Sequence, residues 1–210
     1  MWRSPDLHHQ LSVRDPSDGS FRNVPVKDVA EAVALAHRYS EEGLDVYFGC
    51  AEYLTPESRT AANAAGAWAF WIDVDCGKEK SEAGKGYADG KLALQAIQDF
   101  CRETGLPAPT LVVESGSGLH AYWIFVEFLA KEQWQETAKK FKTLCKTLGL
   151  LADPSRTADL ASVLRIPGTL NYKYDPPRPV VFQVLTNTWI ETAEMLEAIE
   201  RAYERGVAST

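Results

Sequence analysis

The pattern of apolar and polar positions along the chain predicts strands and helices in an irregular order. Apolar runs bounded by turn residues are typical of strands. They cover residues 44–50, 67–75, 110–114, 120–126 and 180–185. Apolar residues that recur at helical spacing predict helices, and these cover residues 26–43, 91–104, 131–148 and 192–205. This mixture favours an α+β fold, with mixed or antiparallel sheets flanked by helices.

The segments outside these elements indicate how the chain is organised. Residues 1–24 are polar and turn-rich, so we expect a loosely ordered N-terminal arm. Residues 25–205 are expected to form one folded domain, and residues 206–210 a tail or a linker towards a C-terminal region that this sequence lacks. The stretch 77–90 contains four glycines and several charges, which predicts a mobile loop.

Composition narrows the class of protein. The chain has 210 residues, a net charge of −7 and no apolar run near the roughly 20 residues of a membrane span. Its four cysteines are widely spaced and form no C-x-x-C pair, so we expect reduced thiols, no zinc site and a cytoplasmic location. The negative charge argues against a protein that simply coats nucleic acid. The lysines of helix 131–148 are expected to form a solvated face.

Two aspartates end the apolar run at residues 67–75. Asp73 and Asp75 are one residue apart, and residues i and i+2 of a strand point to the same face. Two carboxylates that close repel each other unless a cation offsets their charge. Mg²⁺ takes oxygen ligands and commonly uses one or two carboxylates plus substrate phosphates. The pair is therefore a candidate metal site, although two solvated acids at a strand end would look the same.

A small-residue turn follows the next strand. Residues 115–118 read Ser-Gly-Ser-Gly, and His120 begins the returning strand. Exposed backbone N–H groups and the hydroxyls of Ser115 and Ser117 are able to hold phosphate oxygens. A histidine ring that carries a proton on one nitrogen also donates to phosphate. The alternative interpretation, without a binding function, is a hairpin turn beside a structural histidine.

A third block combines an acid with bases and neutral donors. Asp153 follows an apolar triplet, which would direct it from a strand end as a third carboxylate. Arg165 and Lys173 bracket a Pro-Gly turn, and both side chains are common phosphate ligands. Thr169 and Asn171 add neutral donors. A surface loop with ion pairs is the competing interpretation.

In this order, the three blocks resemble the primase-polymerase domain of the archaeo-eukaryotic primase superfamily. The type found in phage and plasmid replication proteins is the most similar. The resemblance covers residues 45–173, and the block that ends at Lys173 is its most specific part. It implies an α/β module paired with a module like an RNA-recognition fold, and an active site in the cleft between them.

The resemblance also implies roles for individual residues. Asp73 and Asp75 match the first metal-binding motif, and His120 matches a histidine that contacts the triphosphate of the incoming nucleotide. Asp153 best matches the third metal carboxylate, with Asp159 as a rival. Gly118 stands where the family usually has a serine. The candidate nucleotide-binding residues are Ser115, Ser117, His120, Arg165, Thr169, Asn171 and Lys173.

The function implied by the resemblance is DNA-templated nucleotidyl transfer. A primase-polymerase of this kind joins nucleoside triphosphates on a single-stranded DNA template with two Mg²⁺ or Mn²⁺ ions. The implied setting is phage or plasmid replication in a bacterial host, in company with a helicase domain or protein. Two alternatives remain open from the residues: a metal-dependent nuclease, and a catalytically inactive module that binds nucleotides or single-stranded DNA.

Overall fold

A computed structural model describes residues 2–208, with side chains to residue 206. Its strands are β1 (His9–Arg14), β2 (Phe21–Val26), β3 (Asp45–Gly49), β4 (Glu52–Tyr53), β5 (Ala64–Asp75), β6 (Leu111–Glu114), β7 (Gly118–Ala130), β8 (Val163–Arg165), β9 (Leu170–Asn171), β10 (Arg178–Pro179) and β11 (Val181–Val184). Its helices are α1 (Val29–Glu41), α2 (Lys78–Glu82), α3 (Gly90–Thr104), α4 (Lys131–Thr147) and α5 (Thr192–Ala208).

A four-stranded antiparallel sheet carries the N-terminal part of the chain. Its strand order is β2-β1-β3-β8, and α1 packs against it. Leu11 and Val13 on β1 are buried with Val46 on β3 and Ala36 on α1. Burial of these apolar side chains accounts for the pairing of the helix with the sheet. The helix begins at a cap, because the Asp28 carboxylate accepts a hydrogen bond from the backbone N–H of Glu31.

This sheet corrects the prediction for the N-terminus. The prediction of a loosely ordered arm over residues 1–24 is wrong for the residues described there, since β1 and the first residues of β2 lie in it. Strand β1 pairs with both β2 and β3, so it is an interior strand. The folded core therefore begins upstream of residue 25.

A second antiparallel sheet has the strand order β11-β6-β7-β5-β4. Helices α3, α4 and α5 pack against its central strands. The core between them is rich in aromatic rings, and the ring centroids of Trp71 and Trp134 lie 4.8 Å apart. Phe70 and Trp123 of the sheet are also fully buried, and their rings contact that of Phe141 on α4. A ring cluster of this size fixes the long pair β5 and β7, which carry the residues of interest.

The α+β class and the antiparallel pairing are confirmed. Helices α3, α4 and α5 begin and end close to the predicted residues, and α3 ends at Gly105 in a left-handed conformation. The loop 77–90 contains the short helix α2. Helix α5 continues to residue 208, so the expected tail is helical that far, and residues 209–210 lie outside the described residues. None of the described helices is long and apolar enough to cross a bilayer.

The two sheets meet through shared side chains and backbone bonds. Phe48 on β3 packs against the hydrophobic cores of both sheets. The backbone N–H of Cys50 donates to the carbonyl of Ser162, just before β8. These contacts bring the ends of β5 and β7 opposite β1, β3 and β8, which leaves a cleft between the sheets.

Candidate active site

The carboxylates of Asp73 and Asp75 stand at the last residues of β5, where that strand runs beside the start of β7. Asp73 is paired in register with His120, and Asp75 with Gly118. A Cβ atom at Gly118 would lie only 2.1 Å from the carbonyl oxygen of Val74. Glycine at this position therefore allows the two strands to approach closely and fixes the spacing between the carboxylates and the histidine.

Asp153 reaches the same place from a loop. Its backbone N–H donates to the carbonyl of Asp73 at 2.7 Å, and Ala152 forms an isolated bridge with Val74. The loop after α4 therefore runs along the end of β5. The expectation that Asp153 would follow a strand end is wrong, because helix α4 precedes it. Its carboxylate accepts hydrogen bonds from the backbone N–H and hydroxyl of Ser155, at 2.8 and 2.7 Å.

Asp159, the rival third carboxylate, has a different local role. Its carboxylate accepts a hydrogen bond from the backbone N–H of Ala161 at 2.9 Å. Neither Asp159 nor Asp153 lines the cleft that contains Asp73 and Asp75, so the cleft lining does not separate the two candidates. The backbone bond to Asp73 places Asp153 nearer to the pair, which favours Asp153 over Asp159 as their partner.

The environment of Asp73 disfavours its charged form. Burial raises the pKa of Asp73 to about 7, and the negative charges of Asp75 and Asp153 add to the effect. Arg156 and Lys80 oppose it more weakly. At neutral pH the carboxyl is therefore only partly ionised, and an added cation would favour the carboxylate.

His120 is buried opposite Asp73. Its Nε2 lies 3.7 Å from Oδ1 of Asp73, and its Nδ1 lies 3.4 Å from the hydroxyl of Tyr122. Burial lowers the pKa of His120 to about 3, and the positive charges of Arg165 and Arg156 lower it further. The imidazole is therefore neutral at pH 7, with one N–H to donate.

The opposite wall of the cleft is basic. The guanidinium of Arg165 on β8 stacks over Tyr47 at 4.8 Å from the ring centroid and donates to Oδ1 of Asp45 at 2.7 Å. Asp45 is fully buried, and the same oxygen accepts the backbone N–H of Tyr172 at 2.9 Å. Arg14 lies 3.8 Å from the other oxygen of Asp45. A buried carboxylate thus fixes the position of Arg165 and attracts a second arginine, Arg14.

These two walls enclose a cleft of about 270 Å³, which we call the arginine cleft. Six residues predicted from the sequence line it: Asp73, Asp75, Ser115, Ser117, His120 and Arg165. Its other lining residues are Arg14, Phe21, Tyr47, Arg156, Val163 and Leu164. The residues come from both sheets and from the loop before β8, so the cleft exists only in the folded chain.

Three of the predicted nucleotide-binding residues, like the carboxylates Asp153 and Asp159, lie outside the lining of the arginine cleft. The hydroxyl of Thr169 donates to the carbonyl of Ile166 at 2.7 Å. The amide of Asn171 donates to the carbonyl of Ser115 at 2.7 Å and so supports the small-residue turn. Lys173 is exposed. Direct contact of these three side chains with nucleotide phosphates stays a prediction.

Sequence reasoning missed Arg14, Asp45 and Arg156. Arg14 lies in the segment that was interpreted as an arm. Asp45 carried a usable signal, because an acid inside the apolar run at residues 44–50 needs a buried partner. Arg156 sits two residues after Pro154, and nothing local marks it as part of the cleft.

We call the side of the cleft formed by Asp73 and Asp75, together with the adjacent Asp153, the acidic wall. The donor atoms of this wall fit a hard divalent cation. Carboxylate oxygens are the ligands that such ions prefer, and Asp75 and Asp153 place negative charge near the buried carboxyl of Asp73. Among residues 2–206, no three acidic, histidine or cysteine side chains are already grouped as ligands. Lys80 instead contacts Asp75, with Nζ 2.5 Å from Oδ2. Asp73, Asp75 and Asp153 are the residues that would hold an ion.

No family model matches the sequence, and no curated protein matches it either. Solved structures do match. The AEP domain of the primase-polymerase of cyanophage S-2L is 14% identical, with a TM-score of 0.68 over 94% of this chain and 91% of that chain. The primase RepB' is 19% identical, with a TM-score of 0.60 over 96% of this chain and 59% of that chain.

A further match is the catalytic domain of primase RepB' in complex with initiator DNA. It is 19% identical, with a TM-score of 0.59 over 96% of this chain and 88% of that chain. The chain therefore has the fold that these primase and primase-polymerase domains share, and the fold implied by the sequence resemblance is confirmed.

Proposed function

We propose that this protein is a DNA-templated nucleotidyltransferase, a primase-polymerase that joins nucleoside triphosphates on a single-stranded DNA template. One observation carries the proposal. Acidic residues of β5, a neutral histidine of β7 and an anchored arginine of β8 line a single cleft, within a fold that primase-polymerases share. Each of these residue types has a task in phosphoryl transfer, which depends mainly on positioning and electrostatic stabilisation.

The acidic wall would hold two Mg²⁺ or Mn²⁺ ions. When bound, such ions lower the pKa of the attacking hydroxyl and offset charge on the leaving oxygens. Asp73 and Asp75 would ligate them, and Asp153 would complete the set. Ionisation of Asp73 requires loss of a proton that is half retained at neutral pH, so ion binding would release protons.

The basic wall would receive the triphosphate. Arg165 is held by Asp45, so its guanidinium is already positioned and loses little freedom when a phosphate binds. Arg14 and Arg156 line the same cleft. The neutral His120 would donate its N–H to a phosphate oxygen. Loss of one such donor commonly costs ~10²–10³ in rate.

The arginines also favour a polymerase over a nuclease. Hydrolysis of a phosphodiester needs the acidic wall, but it does not need several cations fixed opposite that wall. A triphosphate carries more negative charge than a phosphodiester, so several fixed cations would stabilise its binding. The match to a RepB' catalytic domain bound to initiator DNA supports DNA as the template. A helicase partner, a phage or plasmid setting and a cytoplasmic location remain expectations from the sequence.

The decisive experiment replaces both acids of β5. The double variant Asp73→Ala, Asp75→Ala should abolish incorporation of labelled nucleotides on a primed template while the fold and most template binding survive. Asp159→Asn is the matched control, because that carboxylate lies outside the arginine cleft, and it should retain incorporation. Extension activity in the double variant would end the proposal. Product sizing after incubation without primer, with each metal and with either nucleotide type, would define the priming activity.

A further inference from the structure

A second cavity adjoins the acidic wall. Its volume is about 520 Å³, and Asp75 and Asp153 lie in its lining. Asp75 also lines the arginine cleft. The carboxylates therefore stand at the boundary between two cavities. We call the second one the lysine cavity, after the side chains described next.

Four lysines from two separate elements line this cavity. Lys80 and Lys85 come from the loop that contains α2, and Lys142 and Lys146 come from α4. Lys80 is paired with Asp75. Among the residues whose side chains are described, no acidic group forms an ion pair with the other three lysines. The chain as a whole has a net charge of −7, so this concentration of cations is a local feature that attracts a polyanion.

The remainder of the lining suits the less polar parts of a nucleotide. Cys145, Leu150, Leu151 and Ala152 contribute apolar surface between the lysines and the carboxylates. The volume falls within the range of known small-molecule sites. A sugar or base could rest on this surface while phosphates face the lysines.

The position of the cavity suggests which nucleotide it receives. In a two-metal displacement the attacking and leaving oxygens lie on opposite sides of the transferred phosphorus. If the triphosphate occupies the arginine cleft, the attacking hydroxyl approaches the carboxylates from the other side. The lysine cavity borders these carboxylates: Asp75 lines both cavities, and Asp153 lines the lysine cavity alone.

We propose that the lysine cavity binds the phosphates of the molecule that supplies the attacking 3′-hydroxyl. This inference rests on the proposed function and names a second substrate site for it. The phosphates could belong to the backbone of a growing strand or to the triphosphate of the first nucleotide in priming. Lys142 and Lys146 would contact them, and the 3′-hydroxyl would face Asp75.

Charge reversal on α4 tests the cavity with a close control. Lys142→Glu changes a residue of the cavity, and Lys139→Glu makes the same charge change three residues earlier on the same helix, outside the lining. Both lysines lie on the helix surface, so we expect both variants to fold. Any general effect of net charge on nucleic-acid binding should be equal in the two.

The first measurement is the affinity for a primer–template duplex under conditions in which no nucleotide is incorporated. The probe is a fluorescein-labelled primer–template duplex whose primer ends in a dideoxynucleotide, titrated at several salt concentrations. Lys142→Glu should weaken binding about tenfold or more and lower the salt slope by about one unit. Lys139→Glu should change affinity by less than about twofold. Equal weakening by both variants, or no weakening by Lys142→Glu, would overturn the inference.

The second readout separates the two substrate sites. In primer extension, Lys142→Glu with Lys146→Glu should raise the KM for primer and leave that for the incoming nucleotide within about twofold. A rise only in the nucleotide KM would contradict the assignment. In primer-free dinucleotide synthesis, a raised KM for the initiating nucleotide would extend the site to its triphosphate. An unchanged value would restrict it to strand phosphates.

Failure of the inference can be told apart from failure of the proposed function. If the wild-type protein incorporates no nucleotide, the proposed function fails, and the binding comparison between Lys142→Glu and Lys139→Glu still decides the lysine cavity. If the Asp73, Asp75 double variant is inactive but the lysine variants match their control, the polymerase proposal stands and the lysine cavity is rejected.

Discussion

The two walls of the arginine cleft are built in opposite ways. On the basic wall, Arg165 is paired with a fully buried acid, Asp45, at 2.7 Å. On the acidic wall, Asp73 faces the like charges of Asp75 and Asp153, and its pKa is raised to about 7. The principal cation of the basic wall is thus paired within the fold, whereas Asp73 on the acidic wall faces like charges.

This difference suggests a division of labour between the two walls. A cation that is fixed before the substrate arrives binds phosphate without reorganisation, which favours catalysis. Carboxylates that repel each other are stabilised by a bound cation, so this arrangement favours cation binding. Under the proposed function, the basic wall is ready in the protein alone, and the acidic wall would be complete only with bound ions.

The largest expected effect is on the basic wall, at Asp45. Asp45→Ala would leave the largely buried guanidinium of Arg165 without its partner, which typically costs about 3–5 kcal/mol. We expect a large fall in the free energy of unfolding, measured by urea denaturation, and loss of incorporation. Asp45→Asn keeps an acceptor for the backbone N–H of Tyr172 and should lose less.

A surface pair provides the control for Asp45. Glu197 pairs with Arg201 at 3.2 Å, and both side chains are exposed. Glu197→Ala should change the free energy of unfolding by less than about 1 kcal/mol. If Asp45→Ala were as mild as this control, the basic wall would not depend on its buried acid, and the contrast between the walls would disappear.

The next prediction concerns the acidic wall, where a substitution should raise the free energy of unfolding instead of lowering it. The folded-state pKa of Asp73 is raised from 3.8 to about 7, so between these values the native state binds more protons than the unfolded state. Stability contributed by this group therefore falls as pH rises through that window. Without divalent ions, Asp73→Asn should be more stable than wild type at pH 8, by up to about 4 kcal/mol, and similar to it at pH 4.

Denaturation across this pH range, with and without Mg²⁺, measures the effect. Mg²⁺ should stabilise the wild-type protein and narrow its deficit relative to Asp73→Asn, because the ion binds the carboxylate form. Glu132→Gln, at an exposed position on α4, should show neither behaviour. An Asp73→Asn variant less stable than wild type at pH 8 would mean that the acidic wall is already balanced.

A smaller effect should distinguish donation by His120 from acid–base chemistry. Because its pKa is lowered to about 3, His120 stays neutral from pH 6 to 9 and should add no inflection to the pH profile of incorporation. His120→Ala should lower kcat/KM by ~10²–10³. His120→Asn, which retains an N–H donor, should recover part of the loss with an unchanged profile. A wild-type inflection near pH 6.5 that vanishes in both variants would contradict this.

The sequence predicted the parts of the fold that follow simple periodicity. Helix α4 and the strands β5 and β7 are strongly patterned and were predicted, although both strands extend beyond the predicted residues. Strand β1 was missed because its buried residues include Gln10 and Ser12, so the strand looks polar. The side-chain amide of Gln10 donates to the carbonyl of Pro56, and the hydroxyl of Ser12 donates to the amide oxygen of Asn23 on β2. Such partners are invisible without the tertiary structure.

The residues of the candidate site also fall into two groups, those that a local sequence pattern predicts and those that only the tertiary structure brings together. Asp73, Asp75 and His120 were found because their spacing along β5 and the start of β7 carries the signal locally. The arginines of the basic wall come from β1, β8 and a loop, and only the packing of one sheet against the other brings them together. Lys142 and Lys146 were expected on a solvated face, and the loop of α2 turns them into the lining of a cavity.

The smallest expected effect compares a residue predicted from the sequence with one found in the structure. The sequence predicts that Lys173→Ala raises the KM for nucleotide more than that for template. Lys173 is exposed and lies outside the arginine cleft, whereas Arg156 lines it. We therefore expect Arg156→Ala to raise the nucleotide KM about tenfold, equivalent to about 1.4 kcal/mol, and Lys173→Ala to raise it by about twofold.

Steady-state incorporation at saturating template measures both values. Arg156 also lies 3.9 Å from Asp153, so the Mg²⁺ dependence of each variant must be measured, and it should match that of wild type. If Lys173→Ala had the larger effect, the triphosphate would extend beyond the arginine cleft towards residues 170–175. If it changed neither KM, Lys173 would be removed from the site, and the basic wall would consist of arginines alone.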